Sequence, residues 1–282
     1  NAEVVRSILG QQANGLDWVL EHHSNLEPER QTWLSKLISD NWDAPIVFTT
    51  MVQYLEANFG GGTRSVRRLH QIASSVLVFD EIQTLPLKCV HLFANSLNFF
   101  KQHTHTTCVL CTATQPLLHQ IDPALGSVEL SEHSELMGRV DSVQQLFDEL
   151  ERVEVQPLIR DQGWSLDELT ELILTQFAQT QSVLVIVNTK AWAQQLYQAC
   201  RSQDVDADAL FHLSTNQCPA HRKALLDGDP TTDRLGIRQR LAAQQPVLCI
   251  STQLIEAGVD ISAAVVIRFL AGLDSIAQAA GR

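Results

Sequence analysis

The chain predicts an α/β fold built from two parallel-sheet domains, and three observations lead there. Short apolar runs such as VLVF (76–79) and VLVIV (183–187) are bounded by polar residues, the pattern of strands buried in a parallel sheet. Segments of helical periodicity separate these runs, so strand and helix alternate. The alternation comes as two series, split by the charged, weakly periodic stretch SEHSELMGRVDSVQQLFDELERVEVQPLIR (131–160). Setting the boundary inside that stretch gives domains 1–138 and 139–282.

In the first series, APIVFTT (44–50) reads as a strand, and VRRLHQIA (66–73) places Val66, Leu69 and Ile72 at helical spacing. VLVF reads as a central strand buried on both faces. KCVHLFANSLNFFKQ (88–102) carries Val90, Phe93, Leu97 and Phe100 on one helical face, and the strand TTCVLCTAT (106–114) follows. The second series opens on a capping box, Ser165 with Glu168, before a helix striped by Leu169, Leu172, Ile173 and Phe177. Strand SVLVIVNT (182–189), helix AWAQQLYQAC (191–200) and strand ALFHLST (209–215) come next. A helix opened by Pro219 precedes the strands PVLCIST (246–252) and AVVIRFLA (264–271).

Composition narrows the function classes. No apolar run approaches the roughly 20 residues needed to span a bilayer, so no membrane role is expected. Six scattered cysteines in 282 residues point to a reducing cytoplasm rather than a disulfide framework. The net charge of −12 disfavours a tight, passive nucleic-acid binder, because nonspecific affinity comes largely from cations meeting phosphates. A cycling enzyme that must release its track is compatible with it, since hydroxyls and amides also position phosphates. Pairs that invite a metal reading, His22 with His23 and His103 with His105, lack an acidic partner at ligand spacing. The glycines at 60–62 are followed by no Lys-Ser or Lys-Thr and are not expected to cradle phosphate.

Chemistry concentrates at the strand ends, where ligands bind in open α/β sheets. VLVF runs into Asp80, Glu81, Ile82 and Gln83; CVLC into Thr112, Ala113 and Thr114; VLVIV into Asn188 and Thr189. VLCI leads into STQLIEAGVD (251–260), and the chain closes on QAAGR (278–282). In this order, the stretches resemble motifs II, III, IV, V and the first half of VI of superfamily 2 DExD/H-box helicases. The wider text DEIQTLP, HLSTNQCPAHRKALLD, STQLIEAGVDIS and LAGLDSIAQAAGR resembles the helicase region of the CRISPR-associated helicase-nuclease of type I interference systems. NWDAPIVFTTMVQYLEANF and RRLHQIASSVLVFDE extend that resemblance over nearly the whole chain.

The resemblance implies two RecA-like domains with a cleft between them and an ATP-dependent helicase that unwinds target DNA 3′-to-5′ in antiviral interference. ATP and Mg²⁺ would be its cofactors. Single-stranded or R-loop DNA and the RNA-guided surveillance complex would be its partners. Asp80 would hold Mg²⁺ through its water shell and Glu81 would activate the attacking water. Gln83, where many relatives carry His, would couple the nucleotide to Thr112 and Thr114. Gly258 and Asp260 would lie near ribose and phosphates, and Gln278 and Arg282 would supply motif VI, with Arg282 as arginine finger. Thr49, Thr50, Gln53, Asn188, Thr189 and Thr252 would contact the nucleic-acid backbone. The family's GxxxxGK[ST] loop is missing from these residues and its HD nuclease domain is not represented, so an internal piece of a longer protein, inactive by itself, is expected. The competing readings are another DExD/H-box helicase acting on RNA or DNA, or a helicase-like module that binds without hydrolysis.

Overall fold

The computed structural model describes residues 2–10, 17–23, 33–112, 117–130, 134–137, 145–146, 148–229, 231–256 and 259–282. The chain divides into two compact units, Asn1–Arg139 and Val140–Arg282. Both are α/β with parallel strand pairing throughout the described sheets.

The first unit runs α1 (Ala2–Leu9), β1 (Val19–His22), α2 (Trp33–Asn41), β2 (Ile46–Thr49), α3 (Met51–Phe59), α4 (Thr63–Val66), α5 (Leu69–Ile72), β3 (Val76–Phe79), α6 (Val90–His103) and β4 (Thr107–Leu110). β1 pairs with β2, and β3 with β4. Periodicity alone gave no sign of β1, whose four residues are too few and too polar to stand out. An aromatic triad builds the core: Phe79 stands edge-on to Tyr54 and to Phe93, each at 4.9 Å between ring centroids. The Tyr54 hydroxyl shares a 2.9 Å hydrogen bond with Ser96, so the buried polar tip is satisfied.

The reading of VLVF as a strand buried on both faces needs correction. The pleat turns Leu77 and Phe79 toward the core, while Val76 and Val78 remain 66% and 63% exposed. Among the described residues only β4 pairs with β3, and no helix covers the outer face.

The second unit runs α7 (Leu166–Thr180), β5 (Ser182–Val187), α8 (Lys190–Arg201), β6 (Leu210–Leu213), α9 (Pro219–Asp227), α10 (Ile237–Ala242), β7 (Val247–Thr252), β8 (Val265–Arg268) and α11 (Leu273–Ala280). Its sheet has the order β6-β7-β5-β8. Here the two-faced expectation is met. Val183, Val185 and Val187 pack on Leu169 and Ile173 of α7 and on Leu196 of α8. Leu184 and Ile186 face the other way, onto Ile237 and Ala279. Each such side chain contributes about 1.5–3 kcal/mol by burial. The Ser165–Glu168 capping box forms in both directions, fixing where α7 begins.

His212 on β6 stacks on Tyr197 at 5.4 Å, and burial holds its pKa below the ordinary 6.5. As pH falls, the unfolded chain therefore takes up this proton first. The contribution of His212 to stability is full above about pH 6.5 and is lost as pH drops through the lower folded value. Thermal melts between pH 7.5 and 5 should show an acid-side loss that His212→Phe reduces, with a slope per site of no more than about 1.4 kcal/mol per pH unit. An unchanged acid limb in that variant would remove His212 as its source.

Candidate functional site

In the first unit the site begins where β3 stops. Phe79 is locked into the aromatic triad, so the next two residues leave the sheet from a rigid anchor. Asp80 is exposed and Glu81 half-buried. Glu81 adopts left-handed backbone angles, φ 54° and ψ 46°, followed by a 3-10 turn at Ile82–Thr84. That conformation costs a non-glycine residue about 1–2 kcal/mol. Other described residues share it, Ser74 and His105 among them, so the torsion alone marks no function. The turn is pinned: the Ile82 amide donates to the Cys111 carbonyl at 3.2 Å, and Cys111 donates to Phe79 at 2.8 Å.

These bonds bring the β4 end alongside the β3 end. The Thr112 hydroxyl donates to the Gln83 side-chain oxygen, and the Gln83 amide donates to the Glu81 carboxylate. Thr112, Gln83 and Glu81 thus form one hydrogen-bonded chain across two strand ends. Thr114 lies outside the described residues.

Thr49, Thr50 and Gln53 surround the β2–α3 junction. The Thr49 hydroxyl donates to the His22 carbonyl at 2.9 Å, and Thr50 is the N-cap of α3, accepting from the Gln53 amide. Arg68, 7% exposed, donates to the Gln53 side-chain oxygen at 2.7 Å and sits 5.2 Å over the Trp42 ring. Trp42 in turn donates to Nδ1 of His22 at 3.1 Å. Burial, then the Arg68 charge, holds His22 below its ordinary pKa, consistent with a neutral ring accepting that bond.

In the second unit, parallel register sets Thr252 opposite Val187, so Asn188 and Thr189 leave β5 next to the end of β7. Thr189 caps α8 by accepting from the Trp192 amide at 3.2 Å. Thr252 is 8% exposed and leads into a 3-10 turn at Gln253–Ile255. Gly258 falls outside the described residues. Asp260 is exposed, and its carbonyl accepts from Arg238 at 3.3 Å. Gln278 sits on α11. The Arg282 guanidinium donates to the carbonyls of Glu256 and Val259, tying the residues after α11 to the segment that follows β7.

Sequence reasoning missed a buried charged pair in this unit. The Arg268 guanidinium lies 2.6 Å from the Glu256 carboxylate, both side chains 6% exposed. Arg268 also donates to the Asn188 side-chain oxygen at 2.6 Å and to the Phe269 carbonyl at 2.8 Å. Burial raises the Glu256 pKa, opposed by Arg268 and by a hydrogen bond from Ser275. The available signal was a single Arg inside the apolar run AVVIRFLA and a single Glu inside STQLIEAG, each of which needs a partner once buried.

Metal and redox chemistry find little support elsewhere. No group of three or more His, Cys, Asp or Glu side chains could hold a metal among the described residues. Burial pushes the thiols of Cys200 and Cys249 up to about 11 and about 12, away from reactive thiolate. Gly60 and Gly62 form the caps between α3 and α4. Asp80, an exposed hard-oxygen donor, suits Mg²⁺ of the kind held by one or two carboxylates together with phosphates and water.

Residues 179–282 match the family model described as CRISPR-associated nuclease/helicase Cas3, C-terminal. No curated protein matches the chain in sequence. The crystal structure of T. fusca Cas3-ATP is similar with a TM-score of 0.60 at 17% identity, over 94% of this chain and 34% of that one. A chain of a CRISPR RNA-guided surveillance complex, pre-nicking, is similar with a TM-score of 0.56 at 16% identity, over 100% of this chain and 37% of that one. At such identities the likeness is one of fold, and the chain spans about a third of the length of these proteins.

Proposed function

From a chain whose residues 179–282 match the family model of the CRISPR-associated nuclease/helicase Cas3 C-terminal domain, we infer the ATP-driven translocase region of a CRISPR helicase. It moves 3′-to-5′ along the DNA strand exposed in a guide-RNA R-loop and unwinds target DNA during antiviral defence in the cytoplasm. The observation that carries this reading is the chain Thr112–Gln83–Glu81 beside Asp80 at the end of β3.

Asp80 would hold Mg²⁺, and Mg²⁺ when bound neutralises charge developing on the β- and γ-phosphates of ATP. Glu81 accepts a proton from the attacking water. Gln83 fixes the Glu81 carboxylate and relays its position to Thr112 at the neighbouring strand end, and Thr114 serves the same coupling. Gly258 and Asp260 approach the nucleotide, while Gln278 and Arg282 contribute motif VI, Arg282 stabilising transition-state charge. Thr50, Gln53, Asn188, Thr189 and Thr252 donate to phosphate oxygens without reading bases, as sequence-independent movement requires, and Thr49 does so on releasing its bond to the His22 carbonyl. The surveillance complex is the expected partner, supported by the fold shared with a chain of such a complex.

The contacts named are mainly hydroxyl and amide groups, so single-stranded DNA should bind this chain weakly and with little salt dependence. Log K should fall with log salt by about 0.7 for each phosphate neutralised by a cation. Fluorescence anisotropy of a labelled oligothymidine across a salt series measures the slope. A steep slope would transfer the track to basic residues, and no binding to any single strand would refute the translocase reading.

A further inference from the structure

As with Gln53, whose amide is held by Arg68 and Glu56, the side-chain amide of Asn188 is fixed at both ends by the protein. Its oxygen accepts from Arg268 at 2.6 Å, and its nitrogen donates to the Leu270 carbonyl at 2.8 Å. These two bonds permit one orientation of the amide only, because Arg has no acceptor and a carbonyl has no donor. A side-chain amide has two N–H donors. The second N–H of Asn188 is left to solvent at an exposed strand end. Arg268 can hold that orientation because it is itself held, through its ion pair with the buried Glu256 carboxylate and its bond to the Phe269 carbonyl.

We propose that Arg268 is a positioning residue that makes Asn188 an obligate hydrogen-bond donor toward a phosphate oxygen of the bound strand, with Glu256 anchoring Arg268. Phosphate oxygens accept and do not donate, so a fixed donor matches them, whereas a freely flipping amide would present its oxygen part of the time. The same guanidinium joins the β5 end to the motif V turn that carries Glu256. The Asn188 donor and the β7 end therefore keep one spacing. This inference rests on the proposed role of Asn188 in contacting nucleic acid.

A thermodynamic cycle on binding of labelled oligothymidine tests it. Asn188→Ala is measured in the natural chain and in the background Arg268→Met/Glu256→Gln, which replaces the ion pair with neutral groups of similar size and so preserves the fold. In the natural chain Asn188→Ala should weaken binding several-fold. In the pair-neutral background the same change should have little further effect, because the donor is already unaligned. A merely structural role for Arg268 would lower the melting temperature and leave the Asn188→Ala effect unchanged. Equal effects of Asn188→Ala in both backgrounds would overturn the positioning role while sparing the contact. No effect in the natural chain would overturn the contact and the positioning role together. Asn188→Asp, which keeps an acceptor for Arg268 and removes the donor, should bind as weakly as Asn188→Ala or worse.

Discussion

Replacing Glu81 with glutamine in the intact protein is expected to leave ATP binding in place and to cut DNA-stimulated turnover by about 10²- to 10⁴-fold, the usual contribution of a positioned general base. The substitution keeps the size of the side chain and removes the charge that draws a proton from water. It also alters the hydrogen-bonded chain, since Gln83 donates to the Glu81 carboxylate while accepting from Thr112. A glutamine at position 81 can still accept from Gln83 through its oxygen, so the geometry is largely retained and the loss belongs to proton transfer. Gln83→Ala isolates the other half. It leaves the carboxylate charged but unguided, and it should lower turnover less than Glu81→Gln while weakening the dependence of hydrolysis on DNA. Phosphate release measured with and without single-stranded DNA separates the two. Turnover within a few-fold of normal in Glu81→Gln would remove Glu81 from the role of base.

Most of the strands were legible because each is a compact apolar run ended by polar residues, and β5, β7 and β8 all read this way. The helices α6 and α7 were legible by their stripes, and the Ser165 capping box marked the start of α7. β1 was not, since its VLEH pairs with β2 through the backbone and carries little apolar signal. VLVF misled in the opposite direction: four apolar residues suggest two buried faces, but burial depends on what packs above them. The site divides similarly. Strand-end acids, hydroxyls and amides were visible by position, because parallel strands bring their carboxyl ends together. The Arg268–Glu256 pair was not, since Arg268 ends β8 while Glu256 follows the 3-10 turn after β7, and the two strands, separated by β5, bring them together only in the folded sheet. Ile186 stands opposite Arg268 between β5 and β8, which puts the guanidinium within reach of Asn188 two residues on.

Removing one member of that pair gives the largest expected change in stability. Arg268→Met should destabilise the second unit by about 3–5 kcal/mol, because it leaves the Glu256 carboxylate buried without its partner. In a unit of this size that is a fall in melting temperature of roughly 10 °C. The double variant Arg268→Met/Glu256→Gln should recover most of the loss, since a neutral pair of similar volume carries no buried charge. The pH dependence identifies the cause. In Arg268→Met the Glu256 carboxyl loses the attraction that opposes its burial, so its folded pKa rises further above that of the unfolded chain. The folded state then binds the extra proton, and stability is greatest below the unfolded carboxyl value and is lost as pH rises through the folded one. Arg268→Met should therefore be closest to the natural chain in weak acid and farthest from it at neutral pH, whereas the double variant should show no such trend. Equal destabilisation of single and double variants at every pH would show that Arg268 stabilises through packing of its aliphatic stem and its bonds to Asn188 and Phe269, not through charge.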